Sequence, residues 1–213
     1  MRTLIINEIF YSIQGETSRS GIPTTFVRLT GCPLRCSYCD TKYAFKDGIK
    51  KGFDEVLLEI NQNKTKYITI TGGEPLAQKN ILLFMKELCD LKYSVSIETS
   101  NAYTIEEIDP RVSIILDIKT PASNEADKNI VENYNYLKSI DEIKFVICNL
   151  SDFNWSKDYI KKYNLISTCQ IIFSPSYEEM PLSELADLIL RDGLNVRLQA
   201  QLHKTIWGPV DGK

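Results

Sequence analysis

Apolar positions recur along this chain with two periods. Leu4 to Phe10, Thr24 to Thr30, Tyr67 to Thr71, Val95 to Glu98, Val112 to Ile118, Ile143 to Ile147, Gln170 to Phe173 and Asn195 to Gln199 are short runs rich in apolar and β-branched residues, and predict strands. Asp54 to Ile60, with Val56, Leu57 and Ile60 on one face, has helical spacing, as do Ile81 to Leu91, Ser156 to Tyr163 and Leu182 to Leu190. Helices falling between strands predict an α/β fold with a mainly parallel sheet. About six strand–helix units follow residue 40, fewer than the eight of a full barrel of about 250 residues, so an incomplete, TIM-like barrel is expected. No repeat or low-complexity linker interrupts the pattern, and residues 1–213 are expected to form a single domain.

Composition narrows the classes. A net charge of −3 on 213 residues gives no broad grip on nucleic acid. The apolar start at Leu4 to Ile6 is broken by Asn7 and Glu8, too soon for a signal peptide, and no run is long enough to span a bilayer. A cytoplasmic protein with reduced thiols is the expectation. Of six cysteines, Cys89, Cys148 and Cys169 lie inside apolar segments and are expected to be buried structural thiols.

The other three differ. Cys32, Cys36 and Cys39 stand as C-x-x-x-C-x-x-C among turn formers. Three thiolates on one loop can hold three irons of a 4Fe–4S cluster and leave the fourth open to a small molecule. Structural zinc asks for four ligands, and the chain offers one distant histidine, His203, and Asp40, which is awkwardly adjacent to Cys39. The cluster is therefore preferred to zinc. In parallel α/β folds chemistry collects at the carboxyl ends of strands. Thr30, Thr71 to Pro75, Glu98 to Asn101, Asp117 to Pro121 and Gln199 to His203 all fall there.

The cysteine spacing with Tyr38 before its last member, together with Gly72-Gly73-Glu74-Pro75, resembles the radical S-adenosylmethionine (SAM) superfamily. Tyr11 to Glu16, Phe26 to Cys32, Cys39-Asp40-Thr41 and Gln199 to Gly208 are further similar to the 7-carboxy-7-deazaguanine synthase family, over Ile5 to Gly208. Thr17 stands where that family often has glycine and Tyr38 where it often has tryptophan; Pro209 to Lys213 has no firm counterpart.

The resemblance implies a lyase of queuosine and 7-deazapurine biosynthesis, feeding transfer RNA modification. It would convert 6-carboxy-5,6,7,8-tetrahydropterin to 7-carboxy-7-deazaguanine with loss of ammonia. SAM would be cleaved reductively, hydrogen removed from C6, the ring contracted and SAM regenerated. It implies a 4Fe–4S cluster on Cys32, Cys36 and Cys39 and Mg²⁺ on Thr41. Tyr38, Gly72, Gly73, Glu74, Glu98, Ser100, Asp117 and Lys119 would surround SAM. Ile13, Gln14, Gly15, Glu16, Arg28 and Thr71 would bind the pterin, with the planar Arg28 fork matched to its carboxylate. Strand alternation sets Phe26, Arg28 and Thr30 on one face. No residue is assigned as acid or base, and His203 is not expected to be catalytic. The partners implied are the pterin, a reductant such as flavodoxin or ferredoxin, and a second copy in a homodimer, with no nucleic acid and no membrane. Two other readings are a glycyl-radical-enzyme activase and a non-enzymatic metal-binding or electron-transfer module.

Overall fold

The computed structural model describes residues 2–212. Nine strands form one sheet: β1 (Thr3–Ile13), β2 (Pro23–Leu29), β3 (Ile49–Gly52), β4 (Tyr67–Gly72), β5 (Ser94–Ser100), β6 (Ser113–Ile118), β7 (Glu142–Ile147), β8 (Gln170–Pro175) and β9 (Arg197–Leu198). Their order is β3-β1-β2-β4-β5-β6-β7-β8-β9. From β2 to β9 every pairing is parallel, while β1 runs antiparallel to β2 and β3. β3 and β9 are opposite ends of the sheet, so the barrel is incomplete, as expected.

Alternation along the strands divides the sheet into two faces. Val27, Leu29, Ile68, Ile70, Ile97 and Leu116 pack outward against Phe53, Val56 and Ile60 of α1 (Phe53–Ile60) and Phe84, Met85 and Leu88 of α2 (Ile81–Asp90). Farther along, Ile143, Phe145, Ile171 and Phe173 pack on Phe153 and Ile160 of α3 (Leu150–Lys162) and Leu185 of α4 (Leu182–Asp192). Burying each such side chain stabilises the fold by about 1.5–3 kcal/mol. The opposite, inner positions carry Arg28, Thr71, Glu98, Asp117, Lys144 and Ser174, and these line a cleft.

The phase of alternation changes once within β1. Its register steps between Ile6↔Leu29 and Glu8↔Arg28, leaving Asn7 as an extra residue, a β-bulge. Leu4 and Ile6 therefore face the helices, while Phe10 faces the cleft and Ile9 takes the outward side.

Several elements differ from the sequence pattern. β3 is an edge strand with Ile49 64 % exposed beside Lys50 and Lys51, so no alternation marks it. The strand Thr24 to Thr30 ends at Leu29, and Thr30 turns away to donate its N–H to Ile5 O at 3.0 Å, outside the cleft lining. Helix α3 starts at Leu150, earlier than Ser156, because Asn149 Oδ1 accepts from Asp152 N at 3.0 Å and caps it. No α-helix covers β5 to β6 or β6 to β7 among the described residues. Ile105, Ile108 and Val112 plug the first gap. Buried Asn133 closes the second, donating to Asn101 Oδ1 and Tyr103 O at 2.8 Å each and accepting from Ile105 N at 3.1 Å. The segment Gln199 to His203 leads into a short helix, α5 (Leu202–Trp207), rather than a loop. Cys89 and Cys148 are buried free thiols, and Cys169 is only half-buried. No helix among the described residues is long and apolar enough to cross a membrane.

Candidate active site

A cleft of ≈ 570 Å³ opens at the carboxyl ends of the parallel strands. This volume lies in the range of small-molecule sites. Every residue to which the resemblance gives a cluster, Mg²⁺, SAM or pterin role lines it except Glu74.

Its floor is a closed polar network. Gln14, buried where β1 turns, donates from Nε2 to Thr69 Oγ1 at 3.3 Å and Glu98 Oε1 at 3.2 Å, and its Oε1 accepts from Glu16 N at 3.1 Å. Its side-chain amide is thus committed to the protein. Thr71 Oγ1 donates to Glu98 Oε2 at 3.0 Å. Glu16 pairs with Lys144 Nζ and accepts from Gln201 Nε2 at 2.9 Å. Burial alone would raise the Glu16 carboxyl, but the Lys144 ammonium outweighs it and holds Glu16 below the usual range. Burial also works against the Lys144 charge, and Glu16 and Asp117 overcome it, so Lys144 stays a firm cation. Glu98 moves up, first from burial and then from the Glu16 charge.

Gly15 and Thr17 frame this network. A Cβ on Gly15 would lie 1.9 Å from His203 Nδ1, so only glycine lets the imidazole pack there. His203 also faces the cleft; burial lowers its basicity. Thr17 has φ of 67°, a left-handed conformation that a β-branched residue adopts at a cost of about 1–3 kcal/mol. Gln199 holds it there: Thr17 N donates to Gln199 Oε1 at 2.5 Å and Gln199 Nε2 donates to Thr17 O at 2.9 Å. Glycine would take this backbone conformation without that cost.

On one wall, Arg28 donates from Nε to Glu8 Oε1 at 2.6 Å. On the other, Cys32, Cys36 and Cys39 are half-buried free thiols. Burial pushes the Cys36 thiol up to about 11 and raises Cys32 as well; bound metal would remove those protons. Their loop is clamped on two sides. Glu74 N donates to Gly31 O at 2.8 Å, and Ser37 donates to Ser123 O at 3.2 Å and Ala122 O at 2.6 Å. The double glycine belongs to the first clamp. A Cβ on Gly73 would sit 2.1 Å from Gly31 O, and one on Gly72, at φ 131°, 2.4 Å from Leu29 N. The pair lets the end of β4 press onto the start of the cysteine loop.

Glu74 lies behind this wall, fully buried. It accepts from Thr99 Oγ1 at 2.7 Å, Ser100 N at 2.8 Å, Ser100 Oγ at 2.5 Å and Leu76 N at 2.9 Å, tying β4 to β5. Lys119 donates to Asp117 Oδ2 at 3.0 Å, and its ammonium stands 5.9 Å from the Tyr38 ring centre. The Tyr38 hydroxyl and Asp117 Oδ1 are buried and have no hydrogen-bond partner among the described residues. Thr41 Oγ1 donates to Asp40 Oδ1 at 2.9 Å, and Asp40 Oδ2 accepts from Lys204 at 2.9 Å.

These features fit an iron–sulfur cluster with a polar ligand on its open iron. Among the described residues no three Cys, His, Asp or Glu side chains are gathered closely enough for one ion. Three thiolates that each take a different iron need no such convergence. The orphaned Tyr38 and Asp117 oxygens beside the loop leave hydrogen-bonding capacity for that ligand.

Lys144 and Tyr43 line the cleft without having been singled out in the sequence, and Gln201, inside the segment Gln199 to His203, had no role assigned. Lys144 carried a signal: it is a cation in the middle of the apolar run Ile143 to Ile147, which in a buried parallel strand requires an inward partner. Gln201 directly precedes the short helix α5 and Tyr43 sits on a 3₁₀ turn, and the placement of both depends on tertiary packing.

Residues 26–141 match the model of the radical SAM superfamily. The chain is 40 % identical to the 7-carboxy-7-deazaguanine synthase of Chlorobaculum tepidum, over 97 % of this chain and 95 % of that protein. It is 35 % identical to the synthase of the same name from Thermoplasma acidophilum, covering 98 % and 100 %. Its fold is similar to the crystal structure of QueE from Escherichia coli, with a TM-score of 0.80 at 22 % identity over 95 % and 96 % of the two chains. Streptococcus suis SuiB bound to S-adenosylmethionine shares the fold more distantly, with a TM-score of 0.53 at 16 % identity over 80 % of this chain and 45 % of that one. With the superfamily's domain over more than half of its length and full-length relatives of one name, this chain belongs to the 7-carboxy-7-deazaguanine synthase family of radical SAM enzymes.

Proposed function

We propose that this protein converts 6-carboxy-5,6,7,8-tetrahydropterin to 7-carboxy-7-deazaguanine with loss of ammonia. The observation that supports this reading is the meeting, in one cleft, of a three-thiol loop, a polar floor and an arginine fork. When bound, the reduced 4Fe–4S cluster and SAM supply the radical chemistry that opens the ring contraction.

The protein's share is to bind, orient and exclude water. Cys32, Cys36 and Cys39 hold the cluster. Tyr38, Gly72, Gly73, Ser100, Asp117 and Lys119 would surround SAM, with the Tyr38 hydroxyl and Asp117 Oδ1 available to its polar groups. Glu74 acts from behind, fixing Ser100 through two hydrogen bonds. Ile13, Gly15, Glu16 and Thr71 form the seat of the pterin, with Glu16 ionised to accept from ring N–H groups. Gln14 and Glu98 support that seat. Arg28 takes the substrate carboxylate, and Thr41 beside Asp40 would offer oxygens to Mg²⁺, whose charge would help orient the substrate. Residues 1–213 act as one domain, working in the cytoplasm as a homodimer and drawing electrons from a flavodoxin or ferredoxin.

The test is anaerobic reconstitution followed by incubation with SAM, a strong reductant, Mg²⁺ and the carboxy-tetrahydropterin. Chromatographic appearance of 7-carboxy-7-deazaguanine is expected. Its absence from a preparation that holds intact cluster and cleaves SAM would overturn the assignment.

A further inference from the structure

The carboxylate fork has a built support that the function above leaves unused. Glu8 Oε1 accepts from Arg28 Nε at 2.6 Å and also from the Tyr43 hydroxyl at 2.9 Å. The Arg28 guanidinium carbon stands 5.4 Å from the Phe10 ring centre and 5.7 Å from that of Tyr43, so aromatic rings flank the group. Phe10 is itself stacked on Phe26 at 4.8 Å. Among the described residues, the terminal Nη1 and Nη2 groups of Arg28 make no hydrogen bond to protein. Arg28 nevertheless lines the cleft, with its side chain only 15 % exposed.

The backbone explains why Glu8 reaches this place. Without the bulge at Asn7, Glu8 would keep the phase of Leu4 and Ile6 and point into the helix-facing core. The extra residue sets Glu8 directly opposite Arg28 in the register. Asn7 Nδ2 donates to Lys46 O at 3.3 Å, fastening the bulge to the segment that carries Tyr43.

We propose that Glu8 is the positioning residue of the substrate-carboxylate site. It holds Arg28 by its Nε edge, so that the two terminal amino groups present a fork to the carboxylate. This rests on the reading of Arg28 as the carboxylate-binding residue. A guanidinium free to rotate would lose the bidentate geometry that distinguishes it from a point charge. Glu8 is placed to fix orientation, with Tyr43 holding Glu8 in turn.

The experiment measures binding of 6-carboxy-tetrahydropterin, and of tetrahydropterin lacking the carboxylate, to reconstituted holoenzyme by calorimetry. KM and kcat are recorded beside it. Glu8→Ala should weaken binding of the carboxylated pterin about tenfold to a hundredfold, with a smaller change in kcat and little change for the carboxylate-free pterin. Glu8→Gln, which keeps an acceptor for Nε, should recover most of that loss. Tyr43→Phe, which leaves β1 untouched, should weaken binding by a few-fold in the same selective way and tests the idea if Glu8→Ala does not fold. Tighter binding by Glu8→Ala would show Glu8 competing with substrate for Arg28, and would overturn the proposal. So would equal losses for the two pterins, or an unchanged Tyr43→Phe. Arg28→Ala separates the two levels: if it leaves carboxylated-pterin binding intact, the reading of the site fails first; if it weakens binding and the Glu8 and Tyr43 variants do not, only the inference fails.

Discussion

On the floor of the cleft, Gln14, Glu16, Thr71, Glu98, Lys144 and Gln201 bond to one another. On the cysteine wall, three thiols stand free of disulfides, and the Tyr38 hydroxyl and Asp117 Oδ1 are buried without a hydrogen-bond partner among the described residues. Both regions hang on ends of the same parallel strands, and both are stiffened by hydrogen bonds from behind. They differ in who completes them. The floor carries two carboxyl groups and one ammonium already arranged, as the proposed pterin seat requires. The wall fixes only the loop backbone, through Gly31, Ser37 and the glycine pair, and leaves its polar capacity to a cofactor. In chemical terms, the protein supplies recognition and the cluster with SAM supplies reactivity.

The sharpest way to break that division is on the wall. Cys36→Ala removes one iron ligand, and the expected result is loss of turnover by about a thousandfold or more, with iron and sulfide falling together in analysis of the reconstituted protein. The floor should survive: the circular dichroism of Cys36→Ala should match that of the parent. Full activity in this variant would remove the three-thiol site from the account.

On the floor, Lys144→Met is expected to destabilise the protein by about 3–5 kcal/mol, since Glu16 loses its buried counter-charge. The pH dependence has a definite sign. In the parent, Glu16 has a folded pKa below its unfolded value, so its contribution is present above the unfolded carboxylate pKa and lost as pH falls through the folded one. Without Lys144, burial dominates and raises the folded pKa, so stability is lost as pH rises through it. Urea denaturation should therefore show a larger deficit at pH 8 than at pH 5. A deficit that is the same at both would mean that Lys144 does not govern Glu16.

A smaller effect comes from the joint between floor and chain terminus. Thr17→Asn keeps a side-chain acceptor for Arg19 N, which now reaches Thr17 Oγ1 at 3.2 Å, and tolerates the left-handed backbone better. Thermal unfolding should show stabilisation by about 1 kcal/mol. A lower midpoint would mean that the Thr17 methyl contributes more by packing than its backbone costs.

Much of this architecture is visible in residue order. Thr69 and Thr71, then Glu98 and Ser100, interrupt apolar strands at every second position, which is the signature of a polar inner face. The cysteine spacing and Gly72 to Pro75 mark the wall directly. Three things resist such reading. The Asn7 bulge reverses the phase of β1, so Glu8 reads as sharing the face of Leu4 and Ile6 when it lies opposite Arg28. The β5–β6 and β6–β7 crossings use Asn133 and short turns in place of amphipathic helices, leaving no period to detect. Glu74 belongs to a recognisable ligand motif, yet its carboxylate is spent on Thr99 and Ser100. A motif fixes where the chain turns, and the hydrogen bonds decide which of its atoms remain available.

The central claim is that the floor holds a carboxylated pterin against the radical source on the wall. The most direct measurement is the ratio of 7-carboxy-7-deazaguanine to 5′-deoxyadenosine formed when SAM is limiting and the carboxy-tetrahydropterin is in excess. If the cleft aligns the pterin so that SAM is regenerated in each cycle, product should exceed both the 5′-deoxyadenosine released and the SAM supplied. A reaction that releases 5′-deoxyadenosine steadily and forms no 7-carboxy-7-deazaguanine would contradict the account.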